Sequence, residues 1–256
     1  MKKNHFIFSY AGNKRKEVEK IQNYLKEKIN FDKIKKIVEP FCGSSSYSYY
    51  LSCLYPKKFK YILNDNNQLL IEIYNILKND NLTNKLINEM NELMVGMNKE
   101  KYDKFIKDNK ENYKGYLLMN YIFNIHPGLY KSSGKFKSFD NIRNYPIIKF
   151  LRNEDIEFYN IDGIEIFEKY KNDKSSIIFL DPPYLDCFND FYKNPNLNIY
   201  EYFSNNDIGK MKSYIFLVLE KNWIISLLFK NNNKFEYDKI YQTTKKHTTH
   251  IIITNK

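Results

Sequence analysis

Residues 175–188 read SSIIFLDPPYLDCF. The first half is a short apolar run of the kind that forms a strand covered on both faces. The second half ends that strand. Pro182 and Pro183 each remove a backbone donor and fix φ. At the strand's mouth stand an acid, Asp181, two rigid residues, and an aromatic ring, Tyr184. The Asp181 carboxylate and the Pro182 carbonyl become two acceptors in a stiff frame, with the ring beside them. Two acceptors and one aromatic face suit a planar ring bearing an exocyclic NH2 group, and adenine fits that description. An aromatic amine is a poor nucleophile because its lone pair is delocalised into the ring. Acceptors that hold its hydrogens out of plane return lone-pair density to nitrogen, which is orientational and electrostatic catalysis.

Working outward, apolar periodicity assigns the surrounding elements. Residues 15–30 place Val18, Ile21, Leu25 and Ile29 at helical spacing. Ile34, Ile37 and Val38 form a short strand that Pro40 stops. Gly43 and three serines follow, then a helix over 47–54. A second strand over 61–63 ends in Asn64 and Asp65, and residues 67–78 are helical. That order is the start of a parallel wound sheet. From 80 to 150 the texture changes to a helical stretch with Leu86, Met90 and Leu93 or Met94 on one face. A segment rich in Lys, Tyr, Phe and turn residues comes after it. The wound pattern resumes with IEFYNID as a strand, IEIFEKY as a helix and SIIFL as a strand. A helix over 206–222 and strands at 223–229 and 249–254 are expected to complete the sheet. The chain reads as an α/β fold: residues 1–79 and 151–256 form a catalytic domain, interrupted by an inserted, mainly helical region over 80–150.

Composition bounds the partners. The 256 residues are 43% hydrophobic, enough for a packed core. The 41 Lys+Arg against 30 Asp+Glu, net +11, fit a polyanionic partner. An AT-rich coding sequence also enriches Asn, Lys, Ile and Tyr, so charge alone decides nothing. Cys42, Cys53 and Cys187 are far apart and form no CxxC pair, which argues against structural zinc and against a disulfide framework. No apolar run approaches about 20 residues, so no membrane span is expected. The opening MKKNHFIFSYAGNK lacks the long apolar region of a signal peptide, and an intracellular location is expected.

Two acids and one turn carry double readings. Asp65, at the carboxyl end of the second strand, either grips ribose hydroxyls or caps the next helix. Asp162 either contacts a cofactor or caps IEIFEKY. The EPFCGSSS turn brings backbone N–H groups toward a ligand but has no GxGxxG, so a dinucleotide fingerprint is absent.

Four segments in order resemble the D12 class, or Dam-like, DNA adenine-N6 methyltransferases. FSYAGNK (8–14) resembles that family's amino-terminal W/Y-A-G-G-K motif, and IVEPFCGSSS (37–46) its EPFxGxG motif. ILNDNNQLLIEIYNIL (62–77) resembles its ribose-binding stretch, FLDPPY (179–184) its catalytic motif, and THIIITN its closing strand. The resemblance implies a Rossmann-like methyltransferase fold with a mixed, wound sheet, and S-adenosylmethionine as cofactor. Its activity would be methyl transfer to the N6 amine of an adenine flipped out of double-stranded DNA. It assigns Tyr10, Ala11, Gly12 and Lys14 to the methionine moiety or catalytic loop. Glu39, Phe41 and Gly43 would frame the cofactor, Asp65 the ribose and Asp162 the cofactor's adenine. Asp181, Pro182, Pro183 and Tyr184 would hold the target base, with Asp181 also bordering the cofactor. The 80–150 region falls in the target-recognition slot, where Asn124, Gly128, Tyr130, Lys131, Lys135 and Lys137 are the DNA-binding candidates.

The chain departs from the pattern at two places: Ser45 replaces the second glycine of FxGxG, and Asn13 a glycine of AGGK. Either position can demand a φ that glycine adopts freely. Other readings stay open: cytosine N4 or an RNA base as target, or a degenerate methyltransferase serving as a DNA-binding or scaffold subunit. A monomer or weak dimer is expected, with a restriction endonuclease as counterpart if the chain serves restriction.

Overall fold

A computed structural model describes residues 6–8, 10, 12–123, 138–184, 198–240 and 247–255. Its centre is a seven-stranded mixed sheet. The strands are β1 (Lys36–Glu39), β2 (Lys60–Asn64), β3 (Asp155–Tyr159), β4 (Ser176–Leu180), β5 (Tyr214–Glu220), β6 (Asn233–Ile240) and β7 (His247–Thr254), in the order β3-β2-β1-β4-β5-β7-β6. The pairs from β3 to β5 are parallel, and β7 runs antiparallel to both β5 and β6.

Strand side chains alternate between faces, and the core divides accordingly. Ile37, Tyr61, Leu63, Ile177, Phe179, Phe216, Val218 and Ile252 face one apolar cluster. Val38, Ile62, Ile178, Leu180, Ile215, Leu217, Leu219, Ile251 and Ile253 face the other. On the first face lie helices α1 (Val18–Lys28), α2 (Ser46–Leu54) and α3 (Gln68–Lys78). Helices α4 (Asp80–Met94), α5 (Lys99–Asn109), α6 (Tyr113–Phe123) and α7 (Pro146–Asn153) fill the stretch between α3 and β3. Leu86, Ile87, Met90, Leu117 and Leu118 from this stretch share the cluster with the sheet. The second face is covered by α8 (Gly163–Tyr170), α9 (Asn198–Asn205) and α10 (Trp223–Leu228).

Two expected elements are exchanged. Residues 206–222 hold β5, preceded by one short 3-10 turn (Ile208–Lys210), and 223–228 hold a helix rather than a strand. YIFLVLE is an apolar run buried along its middle, as a central strand must be. At α10 the Asn222 side chain accepts from Ile225 N–H at 2.9 Å, a helix cap that outweighs the β-branched start of the run. Strand β6 escaped sequence reading because NKFEYDKI is an edge strand with one buried residue, Tyr237, and its apolar alternation is confined to Phe235 and Tyr237.

Candidate active site

Strands β1 to β4 are parallel, so their carboxyl ends lie along one edge. Chain order reverses between β1 and β4, and ligands of open α/β sheets bind at that reversal. Glu39, Asn64 and Asp65, Asp162, and Asp181 all occupy this edge.

Asp181 directly follows β4. Its Oδ2 takes the Lys14 Nζ at 2.6 Å, and its Oδ1 accepts from the Tyr184 hydroxyl at 3.3 Å. The Lys14 ammonium also donates to the Gly12 carbonyl at 3.0 Å and sits 5.0 Å from the Tyr184 ring centroid. Lys14 is buried, and Asp181 stays partly open to solvent. The Tyr200 hydroxyl donates to the Pro183 carbonyl at 3.0 Å, pinning the second proline. Lys14 is therefore paired with Asp181 across the edge.

Asp65 is held differently. Gly43 N–H donates to Oδ2 at 2.9 Å and Asn67 N–H to Oδ1 at 3.0 Å. Burial raises its pKa against the pull of those two amides. The cap of α3 is Asn67, whose side chain accepts from Leu70 N–H, so the capping alternative for Asp65 is not the one realised. Its neighbour Asn64 spans the edge, donating to the carbonyls of Pro40 at 2.8 Å and Ile161 at 3.0 Å. Asp162 does cap α8, accepting from Ile164 N–H at 2.7 Å, and it remains exposed. Gly163 behind it is required: a Cβ there would come within 2.5 Å of the Phe41 ring.

Glu39 is buried, with Oε1 accepting from Ser48 N–H at 2.8 Å. Burial first, and then the nearby Asp181 charge, lift its pKa to about 7 in spite of the Ser48 bonds. The space beside Gly43 belongs to Tyr10, whose ring would lie 2.8 Å from a Cβ on the glycine. Ser45 takes the left-handed conformation, φ 49°, that a glycine would adopt freely. It is compensated by bonds to Tyr74, whose hydroxyl lies 3.2 Å from Ser45 Oγ and donates to the Gly43 carbonyl at 2.6 Å. Asn13 carries no positive φ; that conformation falls on Gly12. Ala11, Asn124, Gly128, Tyr130, Lys131, Lys135 and Lys137 lie outside the described residues.

Sequence reasoning missed a second polar cluster beside the first. Glu17, at the start of α1, meets Lys239 Nζ through Oε1 at 2.8 Å and His250 Nδ1 through Oε2 at 2.9 Å. The Tyr237 hydroxyl donates to the same Oε2 at 2.8 Å. Burial alone would raise the Glu17 pKa; the His250 bond and the charges of Lys14 and Lys239 outweigh it and hold the carboxyl well below the usual range. A histidine inside the apolar run THIIITN was the one available signal.

Topology and site together define an α/β protein of the Rossmann-like methyltransferase type. The D12 class N6 adenine-specific DNA methyltransferase family matches over residues 10–251, and the chain belongs to that family. It is 27% identical over 268 residues to the type II methyltransferase M.MjaIII of Methanocaldococcus jannaschii, covering 92% of this chain and 87% of that protein. Among solved structures, the N-terminal domain of human METTL16 in complex with SAH is 8% identical, with a TM-score of 0.37, covering 93% of this chain and 67% of that one. No helix among the described residues is long and apolar enough to cross a membrane.

Proposed function

We propose that this DNA methyltransferase transfers a methyl group from S-adenosylmethionine to the N6 amine of an adenine flipped out of double-stranded DNA. The observation that carries the reading is Asp181: a carboxylate at the sheet's reversal point, partly open, followed by two prolines and by Tyr184, whose hydroxyl donates to it. The donor and acceptor set at the edge fits the cofactor. Asp65 offers carboxylate lone pairs to the ribose diol, beyond those taken by its two amides. Asp162 keeps one carboxylate oxygen beyond its cap for the cofactor's adenine amine. Tyr10, whose ring packs over Gly43, and Gly12, whose carbonyl takes the Lys14 ammonium, line the same corner of the edge.

Bound S-adenosylmethionine supplies an electrophilic methyl on a sulfonium. The chain's residues do the rest. Asp181 and the Pro182 carbonyl each accept one amino hydrogen of the target base, and Tyr184 stacks on its ring. Held so, the amine presents its lone pair rather than its delocalised π form. Lys14 neutralises Asp181 while the site is empty and yields Oδ2 when the base arrives. The Asp181 carboxylate is positioned to take the proton that the alkylated amine sheds. Residues 80–150 form the target-recognition region of this reading, and 1–79 with 151–256 the catalytic part.

The test is direct. Purified protein is incubated with duplex DNA and S-adenosylmethionine, and the DNA is digested to nucleosides for mass spectrometry. N6-methyladenine supports the proposal. N4-methylcytosine, or no modified base beside measurable cofactor binding in calorimetry, contradicts it.

A further inference from the structure

We infer that Glu17 and His250 are positioning residues for methyl transfer, bracing the start of α1 against β7 so that the peptide carrying Lys14 and the ring of Tyr184 stay in register with Asp181. The inference rests on the reading of Asp181 as the acceptor for the target amine.

The contacts form a closed circuit. Glu17 N–H donates to the Lys14 carbonyl at 2.7 Å, and Val18 N–H to the same oxygen at 2.9 Å. Lys14 reaches Asp181 at 2.6 Å, and Asp181 meets the Tyr184 hydroxyl. The Tyr184 ring stands at 90° to the His250 ring, with centroids 5.3 Å apart, an edge-to-face contact. His250 Nδ1 returns to Glu17 at 2.9 Å. Lys239 and Tyr237 on β6 anchor the circuit from the side opposite β5.

Glu17 is not occupied by its own helix. It stands at the N-cap of α1, yet its side chain makes no cap bond there and turns to β6 and β7 instead. An acid at that place ordinarily serves the free N–H groups of the first turn. Here it gives up that local role and ties the helix start to the sheet. A buried ionic cluster is weak evidence of stability and better evidence of a fixed arrangement. What it fixes is the peptide that carries Lys14, three residues upstream and already on the acceptor. His250 is fully buried in β7, so its ring presents a rigid wall to Tyr184. Displacement of a reacting group by about 1 Å costs on the order of 100-fold in rate, which is the scale on which such a brace acts.

The test uses Glu17→Gln, His250→Leu, His250→Gln and the milder Tyr237→Phe, each in the full chain. Single-turnover methylation of duplex DNA by Glu17→Gln and His250→Leu is expected to fall between about tenfold and about 100-fold, with the cofactor KM unchanged. His250→Gln keeps a donor toward Glu17 and should recover part of the loss. Tyr237→Phe should show the smallest loss in the same direction, which keeps the inference testable if a harsher variant fails to fold. Lowered melting temperatures with unchanged single-turnover rates would assign the cluster to stability alone and overturn the inference. A second readout needs no activity: reductive methylation of the Lys14 amine, followed by peptide mass spectrometry. Lys14 should react faster in Glu17→Gln than in the parent protein. If the parent methylates no DNA, the proposed function fails by itself, and equal Lys14 labelling in parent and variant would then overturn the brace independently.

Discussion

Asp65 and Asp181 are both acids at the carboxyl ends of parallel strands, two strands apart in the sheet, and they are held in opposite ways. Asp65 is gripped by two backbone amides, which cannot leave. Asp181 is held by a lysine ammonium and a phenol, which can. A carboxylate fixed by amides is a permanent acceptor whose remaining lone pairs point one way, as a ribose diol requires. A carboxylate held by exchangeable side chains can release an oxygen to a transient guest, as a flipped base requires. Under the proposed function, the same residue type at equivalent places would serve a resident ligand or a passing one, according to what restrains it.

Breaking this contrast should produce graded effects. Asp181→Ala removes the exchangeable acceptor, and the rate of methyl transfer should fall by about 10²–10³-fold with cofactor affinity retained in calorimetry. Asp65→Ala removes the permanent one. Its cofactor KM should rise by about 10- to 100-fold, the loss of a charge-assisted hydrogen bond of about 1.5–3 kcal/mol, with kcat little changed. Tyr184→Ala should weaken capture of the base by about 1–2 kcal/mol, read as a higher KM for DNA.

Glu39 sharpens the contrast through pH. Its folded pKa of about 7 lies above the ordinary 4.5, so the folded protein binds this proton more tightly than the unfolded chain does. The stability it contributes is complete below 4.5 and is lost as pH climbs toward 7. Glu39→Gln is neutral at every pH and can still accept from Ser48 N–H. Its melting temperature should therefore change less across that window than the parent's, by calorimetry. Ser45→Gly should have the smallest effect. It relieves a left-handed conformation worth about 1 kcal/mol and forfeits one hydrogen bond of similar size, so the melting temperature should barely move.

Much of the site was legible because its parts are contiguous. FLDPPY carries strand, stop, acid and ring in six residues, and EPFCGSSS announces a turn after a strand. A missing glycine pointed equally to Ser45 and Asn13, and only Ser45 takes the left-handed conformation. The Glu17–His250 pairing was not legible, because its members lie at opposite ends of the chain and meet only when β7 inserts beside β5. The exchange of helix and strand at 206–228 has a different cause. YIFLVLE and WIISLL are both short apolar runs, and period cannot tell a buried strand from a helix over so few residues. The side-chain cap from Asn222 and the two-sided cover of β5 decide it.

The most direct measurement compares Asp181→Asn with the parent in a single turnover on duplex DNA, with cofactor binding followed in parallel. Asn keeps the shape of the side chain but replaces one acceptor oxygen by a donor. Cofactor affinity close to the parent's, beside near-complete loss of N6-methyladenine formation, is the predicted result. Methylation by Asp181→Asn at the parent's rate would contradict the assignment of Asp181 as the acceptor that readies the amine.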